Sequence, residues 1–355
     1  MIKDRERAKR SARERATRSN KRKQFLQLIV VIVISIINVK FIISSMKRPR
    51  RGALVVSSTF VCDSSGDRDC LVKKWVRQNS FRNWKESGSD VLILEDHISD
   101  CDKMPSEQIE CQEHHCMHSS LGLPIVKCLV QTGMDEYPDK GYNNDKVVVF
   151  TNDDMLFQGL NTTIDFLVRE LGTFVAVGRR TNVPLLDLVD IDDTTIERAE
   201  DGSVEQPIDL DDLASRHFQE SRPFELDYFI FNIDRSILDN YPEFVLGNWR
   251  WDNVMVDYLL LNNITVVDAS KSITAFHLGK TSTKQDFRKG AKYNDDLMKQ
   301  YFENTVDQYA QDESELDPIL RFGSMTYAQY QVDKDTKTGA LNLVRNEESI
   351  FLDSV

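Results

Sequence analysis

Apolar and polar positions across residues 53–280 fall into short blocks of two kinds. "GALVVSSTF", "DVLILED", "KVVVF", "TFVAVG", "DYFIFN", "ITVVDA" and "SITAFHLG" are near-continuous apolar runs, rich in β-branched and aromatic residues. Such runs predict strands buried on both faces. Between them, "CLVKKWVRQNSFRNW" repeats Leu71, Val72, Trp75, Val76 and Phe81 at helical spacing, and "LPIVKCLVQTGMDEY", "TIDFLVRELG" and "DNVMVDYLLLNN" also read as helices. Strands alternating with helices predict an α/β domain over 53–300, built on a single open, mostly parallel sheet flanked by helices. Residues 97–120 are polar and rich in Cys and His, hence loop. Residues 187–212 hold eleven acids against one arginine, which predicts a solvated insertion or flap. From 301 to 355 the chain is acidic and weakly periodic, and a peripheral helix or two with a loose end is expected.

The first fifty residues follow another pattern. Residues 1–24 carry eleven Lys or Arg against three acids, and "FLQLIVVIVISIINVKFIISS" follows at 25–45. As a helix that run would be about 31 Å long, enough to cross the roughly 30 Å hydrocarbon core of a bilayer. The flank before it is the more basic one, so the positive-inside rule keeps the N-terminus cytosolic. A type II signal anchor is therefore expected at 25–45, with a stalk at 46–52 and the rest luminal, in the Golgi or endoplasmic reticulum. A cleaved signal peptide fits less well, because the charged segment is long and no convincing small-x-small site follows the apolar run.

Composition agrees with that address. The chain has 355 residues, 41% hydrophobic, which is enough for a sizeable core. Its net charge of −12 conceals a body, 52–355, with 29 basic and 54 acidic side chains. A surface this acidic excludes general nucleic-acid binding. All six cysteines (Cys62, Cys70, Cys101, Cys111, Cys116 and Cys128) lie beyond the apolar span and are expected as disulfides, in pairings the sequence leaves open. "CQEHHCMH" at 111–118 has zinc-ligand residue types, but its spacing is cramped and an oxidising lumen favours cystine. Asn161-Thr162-Thr163 and Asn263-Ile264-Thr265 are glycosylation sequons.

Ligands of open α/β sheets gather at the carboxyl ends of the strands. "KVVVF" runs there into Asn152-Asp153-Asp154, oxygen donors that suit Mg²⁺ or Mn²⁺ and equally suit a turn or helix cap. In "VGRRTN", Gly178 closes a strand, and Arg179 and Arg180 offer guanidinium forks to a diphosphate or to nearby acids. In "GNWRWDN", Asp252 begins a helix as either a cap or a proton acceptor, with Trp249 or Trp251 as an apolar platform for a sugar. His277 follows in "SITAFHLGK".

Taken in order, "LPIV", "VVVFTNDDMLF", "VAVGRRTN", "LDYFIFN", "FVLGNWRWDN" and "VVDASKSITAFHLGK" resemble glycosyltransferases of the GT-A fold, in particular type II membrane proteins of the nucleotide-diphospho-sugar transferase superfamily. The resemblance implies a GT-A-like luminal domain, a nucleotide-sugar donor, Mn²⁺ or Mg²⁺, and a glycan, protein or lipid acceptor. It implies metal ligation by Asp154 and His277, donor binding by Thr59, Asn152, Asp153 and Arg179, and substrate contacts by Arg180, Asp227 and Trp251. Asp252 becomes the general base if the reaction inverts, and only positions the acceptor if it retains. A nucleotidyltransferase would call for a Gly-rich phosphate loop where Phe60-Val61-Cys62-Asp63 stand. A catalytically silent, anchored scaffold or glycan binder is the other reading, resting on Asn152 at the first motif position and Asn248 where the family carries Arg.

Overall fold

The structure, a computed structural model, describes residues 53–58, 68–95, 110–136, 147–184, 208–216, 218, 220–223, 225–247, 250–279, 284–309, 325–347 and 349. All lie in one compact unit, 51–355. The expected basic arm, membrane span and stalk fall outside the described residues, as does Thr59. Among the described residues no helix is long and apolar enough to cross a membrane.

In chain order the elements are β1 (Leu54–Ser58), α1 (Arg68–Glu86), β2 (Asp90–Glu95), β3 (Glu110–Glu113), α2 (Val126–Glu136), β4 (Val148–Thr151), β5 (Met155–Gln158), α3 (Leu160–Glu170) and β6 (Phe174–Val183). They continue as α4 (Leu210–Ser215), β7 (Leu226–Asn232), α5 (Trp251–Leu261), β8 (Val266–Asp268), β9 (Thr274–Leu278), α6 (Lys284–Tyr309), β10 (Tyr330–Lys334) and β11 (Leu341–Arg345). The main sheet runs β11-β10-β8-β6-β7-β4-β1-β2-β3. Its pairings are parallel except where β7 runs against β4 and β6, and β11 against β10. This is a mixed α/β fold with an open, mostly parallel sheet.

The continuous apolar runs now have a reason. Alternate residues of each strand enter two separate cores, one on each face of the sheet. Leu54, Val56, Val148, Phe150, Phe229 and Phe231 pack with α2 and α5 through residues such as Leu129 and Met255. Val55, Val149, Phe174, Ala176, Tyr228 and Ile230 pack with α1 and α3 through Phe81, Trp84, Ile164 and Leu167.

Four expectations change. Gly178 does not close a strand. β6 carries on through Arg179 and Arg180, shifts register against β7 between Val177 and Arg179, and leaves the main sheet. Its second half, Arg180–Val183, pairs with β9, which pairs in turn with β5, so a small second sheet stands beside the main one. Glycine is required at the change-over because a Cβ there would collide with the Tyr228 hydroxyl. The polar segment 97–120 contains β3, a parallel edge strand beside β2 that its charged sequence concealed. The acidic insert ends in α4, capped by Asp209 and anchored by buried Leu213.

The segment 301–355 holds strands rather than peripheral helices alone. β10 lies parallel to β8 in the main sheet, and β11 folds back antiparallel on it. Val332 is fully buried, and Gln329 accepts the Val266 N–H at 2.9 Å. The alternation is short and one-sided, which is why it reads weakly in sequence.

Candidate active site

Six segments converge at the carboxyl end of β4. The chain leaves β4 through Asn152-Asp153-Asp154 and enters β5, which pairs antiparallel with β9 so that Met155 lies opposite His277. Leu278 N–H donates to the Asp154 carbonyl at 2.9 Å, fixing this register. Hence His277 lies within β9, and its Nε2 is 3.2 Å from Asp154 Oδ2. The Asp154 carboxylate is buried, 1% exposed.

Its neighbour Asp153 bonds to Arg77 Nε of α1 at 2.9 Å. Burial raises the Asp153 carboxyl above its usual range, Arg77 opposes this, and the charge of Asp154 adds to it. Asn152 Nδ2 donates to Asp227 Oδ1 at 3.2 Å, and Asp227 Oδ2 receives Arg180 Nη1. Burial lowers Arg180 from its ordinary value, against the opposing charges of Glu225, Asp154 and Asp252. Arg179 is more exposed, with Nη1 3.7 Å from Glu220 Oε2 and a buried Nε that has no hydrogen-bond partner among the described residues. Its backbone N–H donates to Ser270 Oγ at 2.9 Å.

Asp252 completes the group from α5. It is not the helix cap. Arg250 occupies that position, with a positive φ of 86° and no capping side-chain bond, and Asp252 falls in the first turn. Its Oδ2 accepts Leu226 N–H at a long 3.4 Å, while Oδ1 is buried and, among the described residues, makes no hydrogen bond of its own. Burial pushes the Asp252 carboxyl up to about 6, although the N–H groups of Asn253, Leu226 and Asp252 and the charge of Arg180 pull it down. A carboxylate at such a value is ionised at neutral pH and still basic enough to accept a proton.

The structure therefore brings together Asn152, Asp153, Asp154, Arg180, Asp227, His277 and Asp252, with Arg179 at the rim. Trp251 is a correction. It is 5% exposed, packs against Phe150 and Phe229, and offers no face to a sugar. Its carbonyl accepts the Tyr241 hydroxyl at 2.5 Å. Trp249 lies outside the described residues. Arg77 was not singled out in the sequence, where it is one of several cations on a helix, and only the α1–β5 packing reveals its role.

The zinc-like segment is cystine instead. Cys116 is bonded to Cys128, and His114 Nδ1 accepts the Cys116 N–H at 3.1 Å. Among the described residues no cysteine is free and no cluster of three His, Cys, Asp or Glu can hold a metal. Asp154 and His277 nonetheless fit a hard divalent ion as a pair. Ligands at about 2.1 Å in adjacent octahedral positions stand roughly 3 Å apart, and such ions commonly take one or two protein ligands and fill the rest with water and phosphate.

No family model and no curated protein matches the chain. Solved structures similar to it include a protein described as a nucleotide-diphospho-sugar transferase from Desulfovibrio desulfuricans, at TM-score 0.37 and 10% identity over 70% of this chain and 97% of that one. HddC from Yersinia pseudotuberculosis is similar at TM-score 0.32 and 13% identity, over 68% and 99%. The 4-diphosphocytidyl-2C-methyl-D-erythritol synthase from Anaerococcus prevotii is similar at TM-score 0.32 and 11% identity, over 68% and 96%. These neighbours have nucleotidyl- and nucleotide-diphospho-sugar transferase-like folds.

Proposed function

We propose that the chain is a glycosyltransferase that moves a sugar from a nucleotide-diphosphate donor to an acceptor hydroxyl, with Mn²⁺ or Mg²⁺ held by Asp154 and His277. The observation that carries this reading is the buried Asp154 carboxylate against His277, in one charge network with Asp252, where a basic carboxylate has an oxygen with no hydrogen bond among the described residues. When bound, the ion supplies positive charge to the diphosphate as its bond to the sugar breaks. Arg77 holds Asp153, and Asp227 holds both Asn152 and Arg180, so the loop after β4 is fixed before any ligand arrives. Arg179 offers its guanidinium to the leaving group. Asp252 accepts the proton from the acceptor hydroxyl as its oxygen attacks the anomeric carbon with inversion. The apolar run at 25–45 and the Cys116–Cys128 disulfide support a luminal site in the Golgi or endoplasmic reticulum.

One observation favours the silent-scaffold reading. Arg77 and Arg180 already have carboxylate partners, which leaves their guanidinium groups less available to phosphate. Thermal melting of residues 51–355 with UDP-, GDP- and CMP-sugars, with and without Mn²⁺, separates the two. An enzyme gives a Mn²⁺-dependent rise with one nucleotide, worth about 2.7 kcal/mol at a hundred times the dissociation constant. The rise disappears in Asp154→Ala while the protein stays folded. A well-folded chain that responds to no donor is a scaffold.

A further inference from the structure

The two Asn-x-Thr sequences play no part in the site, and the fold treats them differently. Asn161 opens α3 with its amide turned inward. Its Nδ2 donates to the Ser87 carbonyl, and its Oδ1 accepts from Ser89 Oγ at 3.3 Å. It thereby ties α3 to the turn between α1 and β2. Thr163 is fully buried, and among the described residues its hydroxyl has no partner. A sugar on Asn161 Nδ2 would have to pass through this turn to reach water.

Asn263 is the opposite case. It is exposed, lies two residues past the end of α5, and among the described residues its side chain has no hydrogen-bond partner. Its φ of 56° is a conformation Asn tolerates, and its N–H donates to the Leu260 carbonyl at 3.0 Å, so the backbone is settled without the side chain. Its place in the fold also suits a bulky substituent. α5 has 11 residues, about 16 Å of helix, between Asp252 at its start and Asn263 beyond its end. Asn263 also precedes β8, at the edge of the sheet away from the carboxyl ends where the carboxylates gather.

We propose that Asn263 is an N-glycosylation site and that Asn161 stays bare, a structural residue despite its sequon. The Asn263 Nδ2 forms a bond to the anomeric carbon of an oligosaccharide carried on a lipid diphosphate. The bond from that carbon to the diphosphate breaks, and the amide gives up one proton. The inference rests on the luminal address proposed above.

The test is expression of the full chain in a eukaryotic secretory cell, with the modified asparagine mapped by amidase digestion in ¹⁸O water. The parent should show a single glycan at Asn263. That mass step should be lost in Asn263→Gln and retained in Asn161→Gln. A third variant, Thr336→Asn, completes an Asn-x-Thr sequence in the exposed β10–β11 turn and reports whether the body reaches the lumen. A glycan on Asn161 overturns the proposal, and so does a bare parent beside a glycosylated reporter, in both cases with the luminal address intact. If parent and reporter are both bare, the address fails and the proposal fails with it.

Discussion

Asp252 is the residue whose chemistry is most exposed to test. Its folded-state value, about 6, lies above the 3.8 of an unperturbed carboxyl because burial disfavours the charge. The folded chain therefore binds this proton more tightly than the unfolded chain, and the contribution to stability falls as pH rises from about 4 through 6. Two units correspond to on the order of 3 kcal/mol of folding free energy given up at neutral pH to keep a carboxylate there. Asp252→Asn should remove that cost. The variant should be more stable than the parent by about 1–3 kcal/mol at pH 7.5, with the gain shrinking towards pH 4.5, while turnover falls about 10²-fold or more. Melting curves at the two pH values and one rate measurement check this. Lower stability at both pH values would make Asp252 an ordinary helix-start residue. In the parent, kcat/KM should rise with pH along a limb centred near 6, and that limb should be absent in the variant.

At the scale of elements, β6 decides where the arginines stand. Its first half belongs to the main sheet and its second half to the small sheet that holds His277, so one strand connects Arg179 and Arg180 to the metal-ligand candidates. Gly178 makes the passage possible. In Gly178→Ala the new methyl would displace the fully buried Tyr228 ring, and overpacking of this kind costs about 1–3 kcal/mol. The variant should melt lower by that amount. It should also lose donor affinity, because the strand that aims Arg179 has moved, and donor titration of the folded variant at low temperature separates the two effects. The sequence showed this strand and the carboxylate loop clearly, since two-sided burial writes itself as an apolar run. The passage between sheets stayed hidden, because a glycine before two arginines reads as a strand end. Trp251 misled for a related reason: a tryptophan beside a candidate base looks like a sugar platform, and only tertiary packing shows it filling the core. The Arg77–Asp153 pair joins residues 76 positions apart, a distance over which no local pattern carries information.

For the whole molecule, the decisive question is what residues 325–349 contribute. In sequence they look dispensable. In the structure, β10 covers the flank of β8, the strand that leads into Asp268 and the Ser270 turn against which Arg179 is held. Asn346 reaches back to the carbonyls of Thr326 and Ala328, closing the hairpin on itself, and Leu341 and Leu343 pack against the core that contains Val267 and Ala269. Burying each aliphatic side chain is worth about 1.5–3 kcal/mol, against a total stability of only about 5–15 kcal/mol for a domain. Met325 and Val332 are fully buried and Tyr330, Leu341 and Leu343 partly so, so removing them together takes away a large share of that total. A chain ending at residue 324 should lose its cooperative melting transition and expose apolar surface to a hydrophobic dye. A loose tail would leave both unchanged. Two substitutions within the full chain, Val332→Asp and Val344→Asp, sharpen the test: Val332 is fully buried and should fail in the same way, whereas Val344, 42% exposed on the outer strand, should be tolerated. If both are tolerated, the sheet ends at β8 and the hairpin is an appendage.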